Sequence, residues 1–304
     1  MSENLNFLIP IDFQPESETA LSYALGIGRD LKATLHLVHI LEDESPLYRM
    51  VLNDDQRDMI RRGASDKLDE LAGKVLGAAR IPFTTSVLQG KIYNRITETA
   101  ERTKADLIFM GRTDSSDIKK NITGTNTMHI IKEARVPVIT LRKKPARPGC
   151  SHLVLPLDLT KQTVKKASNA IATARMLNAR ITVISFLPDK RKSIEIKFIQ
   201  KLDEIRNTIQ KLGTNCDIKL VQPSAGDPVK KLNQSVKEFK GDLLMIMTQQ
   251  ELHFNEFFIG SWAQEVINKS DCPVLSITPL AEEKYGIPDP LSQVFINPIQ
   301  VLDR

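Results

Sequence analysis

The chain of 304 residues is 41% hydrophobic and 26% charged, with a formal charge of +5; this is an ordinary globular composition with room for two cores, which excludes disorder, collagen and coiled coil. No apolar run approaches the ~20 residues of a membrane span, and the N-terminus lacks the basic start and apolar stretch of a signal peptide. Three widely spaced cysteines (Cys150, Cys216, Cys272) with no Cys-x-x-Cys pair fit a reducing cytoplasm, the expected location, better than a disulfide framework or a zinc site.

In chain order, residues 7–12, 34–41, 83–88, 106–110 and 136–141 are short, apolar and rich in β-branched side chains, so they read as strands. Residues 16–30, about 53–80, 93–104 and 125–134 read as helices between them; Leu21, Ala24, Leu25 and Gly28 give the first of these one apolar face. The pattern then begins again. Leu8-Ile9-Pro10-Ile11-Asp12 returns as Val154-Leu155-Pro156-Leu157-Asp158 at an offset of 146. Asp106-Leu107-Ile108-Phe109-Met110 returns as Asp242-Leu243-Leu244-Met245-Ile246 at an offset of 136, as do Gly90 in Gly226 and Val136-Pro137-Val138 in Cys272-Pro273-Val274. Helices are expected over 162–177, 193–212, 228–239 and 261–268. The chain is therefore an internal repeat.

Apolar strands alternating with helices predict an α/β fold of two doubly wound parallel five-stranded sheets, each with a crevice at the carboxyl ends of its strands. The expected division is domain one over residues 1–143, a linker over 144–150, domain two over 151–279 and an extension over 280–304. Pro145, Pro148 and Gly149 break the chain at the linker. The extension is broken by Pro288, Pro290 and Pro298 but too apolar for a free tail, which marks it for packing on a domain or on a second subunit. Charge is spread evenly: 22 Lys+Arg against 20 Asp+Glu over residues 1–150, and 20 against 17 beyond. With four Tyr and one Trp, the short basic runs at Arg142-Lys143-Lys144 and Lys190-Arg191-Lys192 read as solvated loop and linker, and no nucleic-acid partner is expected.

The segment after the fourth strand carries the chemistry. Gly111-Arg112-Thr113-Asp114 is followed, after nine residues, by Gly124-Thr125-Asn126, which opens a helix. Glycines admit a phosphate close to the backbone, and the free N–H groups of a helix start attract anions. The plain alternative is a turn and a threonine cap. Asp12, at the end of the first strand, is open to two readings, a ligand-facing carboxylate or a cap on the following helix. His36 and His39 read as packed residues rather than ligands. No histidine pair has metal spacing, and no P-loop, nucleophile elbow or catalytic base is evident.

Here the chain resembles a tandem universal stress protein, over about residues 5–142 and 151–279. The resemblance rests on Pro10 and Asp12 with their repeats Pro156 and Asp158, on the glycine loop, and on the final strand's x-Pro-Val opening. It implies a stress-response regulatory protein, with ATP bound in domain one by Asp12 after Pro10, by Val38 against the adenine, and by Gly111, Gly124, Thr125 and Asn126 around the phosphates. The ATP-binding branch has glycine where this chain has Asp114; a carboxylate there costs on the order of 1–4 kcal/mol, unless Mg²⁺ bridges it or Arg112, Lys119 and Lys120 offset it. Copy two has Met247 and Gln250 at the two glycine positions, followed by Gly260-Ser261, and its aromatic loop over 251–258 reads as filling its own crevice or docking on the other domain. Domain two is thus expected as a scaffold without nucleotide. The resemblance also implies edge-to-edge pairing of the two domains, and the tail is offered as a homodimer contact. Two rival readings stand: an interaction scaffold that binds no nucleotide, and a slow ATP hydrolase using Mg²⁺ held by Asp12 or Asp114. No enzyme activity is expected on the first reading.

Overall fold

The computed structural model describes residues 4–42, 53–112, 125–142, 145, 149–159, 163–188, 190–222, 226–248 and 259–278. The first copy runs β1 (Asn6–Pro10), α1 (Pro15–Leu31), β2 (Thr34–Leu41), α2 (Asp54–Leu76), a 3₁₀ turn (Gly77–Ala79), β3 (Phe83–Gln89), α3 (Ile92–Arg102), β4 (Leu107–Gly111), α4 (Thr125–Glu133) and β5 (Val138–Leu141). The second runs β6 (His152–Pro156), α5 (Thr163–Leu177), β7 (Arg180–Phe186), α6 (Lys192–Lys211), β8 (Cys216–Val221), α7 (Pro228–Glu238), β9 (Leu243–Met247), α8 (Ser261–Lys269) and β10 (Val274–Ile277). The expected tail over 280–304 and residues 144 and 146–148 of the linker lie outside the described residues.

Local chemistry sets the element ends. Pro15 and two acidic residues open α1, where an N–H is dispensable and negative charge meets the helix dipole; Lys32, left-handed at φ 54°, closes it. Asn53 and Gln56 form a reciprocal capping box on α2. The left-handed positions themselves repeat. Phe13 and Leu159, Lys32 and Asn178, and Lys104 and Lys240 all have φ between 50° and 61° at equivalent places. Such φ values are uncommon outside glycine, so these pairs show the repeat in the backbone itself.

Each copy orders its strands 3-2-1-4-5, all parallel, and the two sheets join through β5 and β10 into one sheet of ten strands. That joint is antiparallel, with Val138↔Ser276, Ile139↔Leu275 and Thr140↔Val274 as partners. Ile139 and Leu275 are equivalent residues of the repeat, so an approximate two-fold axis passes between them. Alternation along the strands feeds two layers. Phe7, Ile9, Tyr23 and Phe109 belong to a layer that continues through Leu155 and Ile205 of the second copy. Leu8, Ile108 and Val138 face the opposite layer with Val154, Leu244 and Val274. Each layer is thus one core shared by both copies. The register also locates the shortening of copy two: Leu35 pairs with Phe83, and Ile181 with Cys216. The offset there is already 133, so the loss falls before β8 and three residues return before Gly226. Among the described residues no helix is long and apolar enough to cross a membrane.

Side chains cross the joint from both copies. The Tyr23 hydroxyl donates to the Asp242 carbonyl at 3.3 Å, and Thr278 Oγ1 donates to Ala134 O at 3.0 Å. Arg142, read from sequence as part of a solvated run, instead pairs with Asp271 of the second copy. It ends a strand that lies at the middle of the ten-stranded sheet rather than at an edge, and this brings the guanidinium over the neighbouring copy.

Candidate functional site

In the first copy the carboxyl ends of β1, β2 and β4 surround a cavity of about 210 Å³, lined by Pro10, Asp12, Val38, Gly111 and Asn126 together with Ile11, Ser17, His39, Ile40, Ile92, Ile96, Met110 and Thr127. Five of the eight residues singled out by sequence therefore lie around one opening. Thr125 begins α4 beside it. Asp114 and Gly124 lie outside the described residues.

Asp12 serves its own chain first. Its Oδ1 accepts from Gln14 N at 3.0 Å, and its own N–H is donated to Ser17 Oγ at 3.4 Å. This holds the chain through left-handed Phe13 into α1, which is the capping reading of Asp12; the side chain remains exposed at the cavity. The Val38 carbonyl accepts from Ile11 N at 2.8 Å, so a ligand there meets its second lone pair. His39 Nδ1 lies 2.7 Å from Ile11 O, and its ring packs on Phe13 at 4.6 Å. His36 bridges Thr84 Oγ1 at 2.8 Å and Asn6 Oδ1 at 3.1 Å. Both histidines are satisfied packing residues.

Gly111 has a reason of its own. A Cβ there would lie 2.5 Å from Ser17 N and closer still to the Glu16 carbonyl. The start of α1 rests directly on this residue, so glycine is required for helix packing whether or not a phosphate approaches.

Arg112 departs from the expectation that it offsets Asp114. It is 5% exposed, and its guanidinium donates to Asn268 O and, at 3.3 Å, to Ser270 O. These carbonyls close α8, where the helix dipole favours a cation. The strand's last step turns this side chain toward the joint, away from the crevice. Asp12 is consequently the one carboxylate among the described lining residues, and none of them is a lysine or arginine. Among the described residues, the N–H groups that open α4 are what the crevice offers an anion.

Sequence reading missed Ser17, His39, Ile40, Ile92, Ile96 and Thr127. Two signals were available: His39 and Ile40 directly follow Val38 at the strand end, and Ile92 and Ile96 are one helical turn apart after Gly90. Gly90 and Gly226 both have positive φ, 137° and 120°, at the turn into α3 and α7.

The second copy has a larger opening at the corresponding place, about 330 Å³, lined by Leu155, Pro156, Leu157, Asp158, Lys166, Phe186, Pro188, Phe198, Met245, Ile246, Met247 and Trp262. Asp158 is paired there with Lys166 at 2.9 Å. Gln250 and the aromatic loop expected to fill this crevice lie outside the described residues. Among the described residues, no three His, Cys, Asp or Glu side chains converge as a metal site.

Comparison with known proteins gives a consistent result. The model of the universal stress protein family matches residues 4–142 and 218–277. A universal stress protein of Methanocaldococcus jannaschii is 29% identical over 146 residues, which is 46% of this chain and 85% of that protein. The crystal structure of a universal stress protein from Archaeoglobus fulgidus superposes with a TM-score of 0.68 at 19% identity, over 90% of this chain and 96% of that one. A universal stress protein structure from Pseudomonas aeruginosa gives 0.61 at 18% identity, over 92% and 97%. At these identities the structures speak for the fold.

Proposed function

From the premise that the chain belongs to the universal stress protein family, with the stress-response role that membership supports, we propose that it is a regulatory protein whose first copy takes an adenine nucleotide weakly and whose second takes none. The observation that carries this reading is the convergence of Pro10, Asp12, Val38, Gly111 and Asn126 on one cavity, with the start of α4 beside it. Asp12 would meet the ribose hydroxyls, the Val38 backbone the base, and the N–H groups of α4 the phosphates. Weakness follows from charge. The described lining has no cation, Arg112 is committed elsewhere, and Asp114 puts a carboxylate at the sequence position where the ATP-binding branch has glycine. Magnesium would reach this site with the nucleotide and screen Asp114.

In the second copy Met247 and Trp262 stand at the places of Gly111 and Asn126, which replaces the glycine and puts a bulky apolar ring where the first copy has an amide. That copy acts on the first through the shared sheet. No residue here is assigned to bond-breaking chemistry, and occupancy of the first crevice would act by changing the surface that a partner meets. We place the domain limits at residues 1–143 and 151–279.

Calorimetric titration of nucleotide-stripped protein with ATP and Mg²⁺ tests the reading. One weak saturable site, lost in Gly124→Val and tightened about tenfold or more in Asp114→Gly, is the expected result. Two sites would overturn the assignment of copy two. The lack of a cation among the described lining residues favours a second reading, an interaction scaffold without nucleotide, and an absence of binding at millimolar ligand would establish it over the first. Turnover above background that changes in Asp114→Ala would instead support slow hydrolysis.

A further inference from the structure

The second crevice differs from the first in a direction that selects a different ligand. We propose that it binds a small, uncharged, planar aromatic molecule carrying a hydrogen-bond acceptor, and that it excludes nucleoside polyphosphates. The exclusion rests on the reading above for the second copy; the aromatic ligand goes beyond it.

Four substitutions between equivalent positions carry the argument. Trp262 stands where the first copy has Asn126, Met247 where it has Gly111, Phe186 where it has Ile40, and Lys166 where it has Ala20. The first three replace an amide, a glycine and an aliphatic side chain with two half-buried aromatic rings and a thioether, on walls completed by buried Leu155, Leu157 and Met245. Aromatic faces and methionine sulfur favour a flat aromatic guest. The volume, about 330 Å³, lies in the range of small-molecule pockets.

Lys166 supplies the polar end. It is more than nine-tenths buried, although its counterpart Ala20 is wholly buried and apolar, so the fold does not demand a lysine at this place. Burying an ammonium is unfavourable unless it is paired, and Asp158 Oδ1 is its acceptor among the described residues, at 2.9 Å. An ammonium has three donors, so a carbonyl on the guest can take another. The pair is neutral as a whole: Asp158 repels an anion at the same place, and Lys166 repels a cation. A neutral acceptor is the group that both charges tolerate.

Trp262 is the single tryptophan of the chain, so its emission reports this crevice alone. The probe is 6-propionyl-2-(dimethylamino)naphthalene, a neutral planar ketone that absorbs where tryptophan emits. The expected result is saturable, one-to-one quenching of Trp262 with sensitised, blue-shifted probe emission, unchanged by millimolar ATP and Mg²⁺. Followed by directly excited probe emission, Trp262→Asn should weaken binding at least tenfold; it installs the residue that the first copy carries, so folding is retained. The paired change Lys166→Met with Asp158→Asn should do the same without leaving a lone buried charge. Three outcomes would overturn the proposal: quenching that never saturates, affinity unchanged in both variants, or displacement of the probe by ATP.

Discussion

Arg112 reaches from the last step of β4 in one copy to the Ser270 carbonyl in the other, at 3.3 Å and almost fully buried. With Asn268 O as its second acceptor, it binds the exit of α8 as a fork. A hydrogen bond to a charged donor contributes roughly 1.5–3 kcal/mol, and truncation would leave two carbonyls without it. Arg112→Ala should therefore lower unfolding stability by about that amount in urea titrations. Arg112→Lys should recover little, since an ammonium cannot span both oxygens. An unchanged midpoint for the alanine variant would remove Arg112 from the joint.

The neighbouring pair is coded by charge. Arg142 meets Asp271, which also lies 3.2 Å from Lys237. At the equivalent places of copy one Arg135 pairs with Glu101 at 3.5 Å, so the same bridge is built with its signs exchanged. Two first copies joined by their last strands would set Arg142 against Arg135. Asp271→Arg recreates that clash within one chain and should destabilise more than Asp271→Ala, whose cost is at most about 1 kcal/mol for a partly exposed pair. Equal midpoints for the two variants would contradict the charge argument.

Gly111→Ala tests the contact with the start of α1. The obstructing atoms are backbone, so no side-chain rotation relieves them, and a loss of about 1–3 kcal/mol is expected. The comparison is Gly73→Ala, where an added Cβ meets nothing within 4 Å and where a helical glycine gives way to a better helix former. A drop at Gly111 and none at Gly73 is the outcome to look for in thermal melts.

Acid should weaken the fold through two histidines. Burial holds His36 below its ordinary value near 6.5, and burial followed by the Arg180 cation does the same for His152. The unfolded chain therefore binds more protons than the folded one in this range. Their contribution is complete above about pH 6.5 and is lost as pH falls through the lower folded values. Urea midpoints should drop between pH 7 and pH 5, less so in His152→Gln. A flat or rising profile would exclude both groups.

The cysteines should be silent to thiol reagents until the chain unfolds. Burial raises Cys216 and Cys272 to about 12, and raises Cys150 further with help from the Asp242 carboxylate. At pH 8 a thiol of that kind is roughly one part in ten thousand thiolate. Ellman titration should find all three groups in guanidinium and almost none in the native protein. Rapid reaction of any native thiol would contradict this burial.

Much of the fold is legible in the sequence because it is written twice. Short apolar strands and offsets of 146 and 136 suffice to align Pro10 with Pro156 and Asp106 with Asp242, and both aspartates indeed take up N–H groups at the start of β1 or β6. Direction is what the pattern cannot give. Arg112 sits in a glycine-bearing segment that invites a phosphate, yet its acceptors lie 156 and 158 residues away. Gly111 invites the same reading, while the obstruction that demands it comes from Glu16 and Ser17. The histidines show a subtler limit. His36 on β2 faces Asn6 on β1, whereas the repeat puts the histidine on β6, His152, against Thr182 on β7 at 2.7 Å. An exchange across a strand pair preserves the contact while erasing the sequence match.

The antiparallel joint of β5 and β10 fixes which way each half looks. Carboxyl ends of β1, β2 and β4 emerge along one rim of the ten-stranded sheet, and those of β6, β7 and β9 along the opposite rim. The two openings are thus back to back. A flat partner seated on one rim cannot feel what occupies the other by touch. Any influence of one mouth on the other therefore has to cross the shared core and the joint that Arg112 spans.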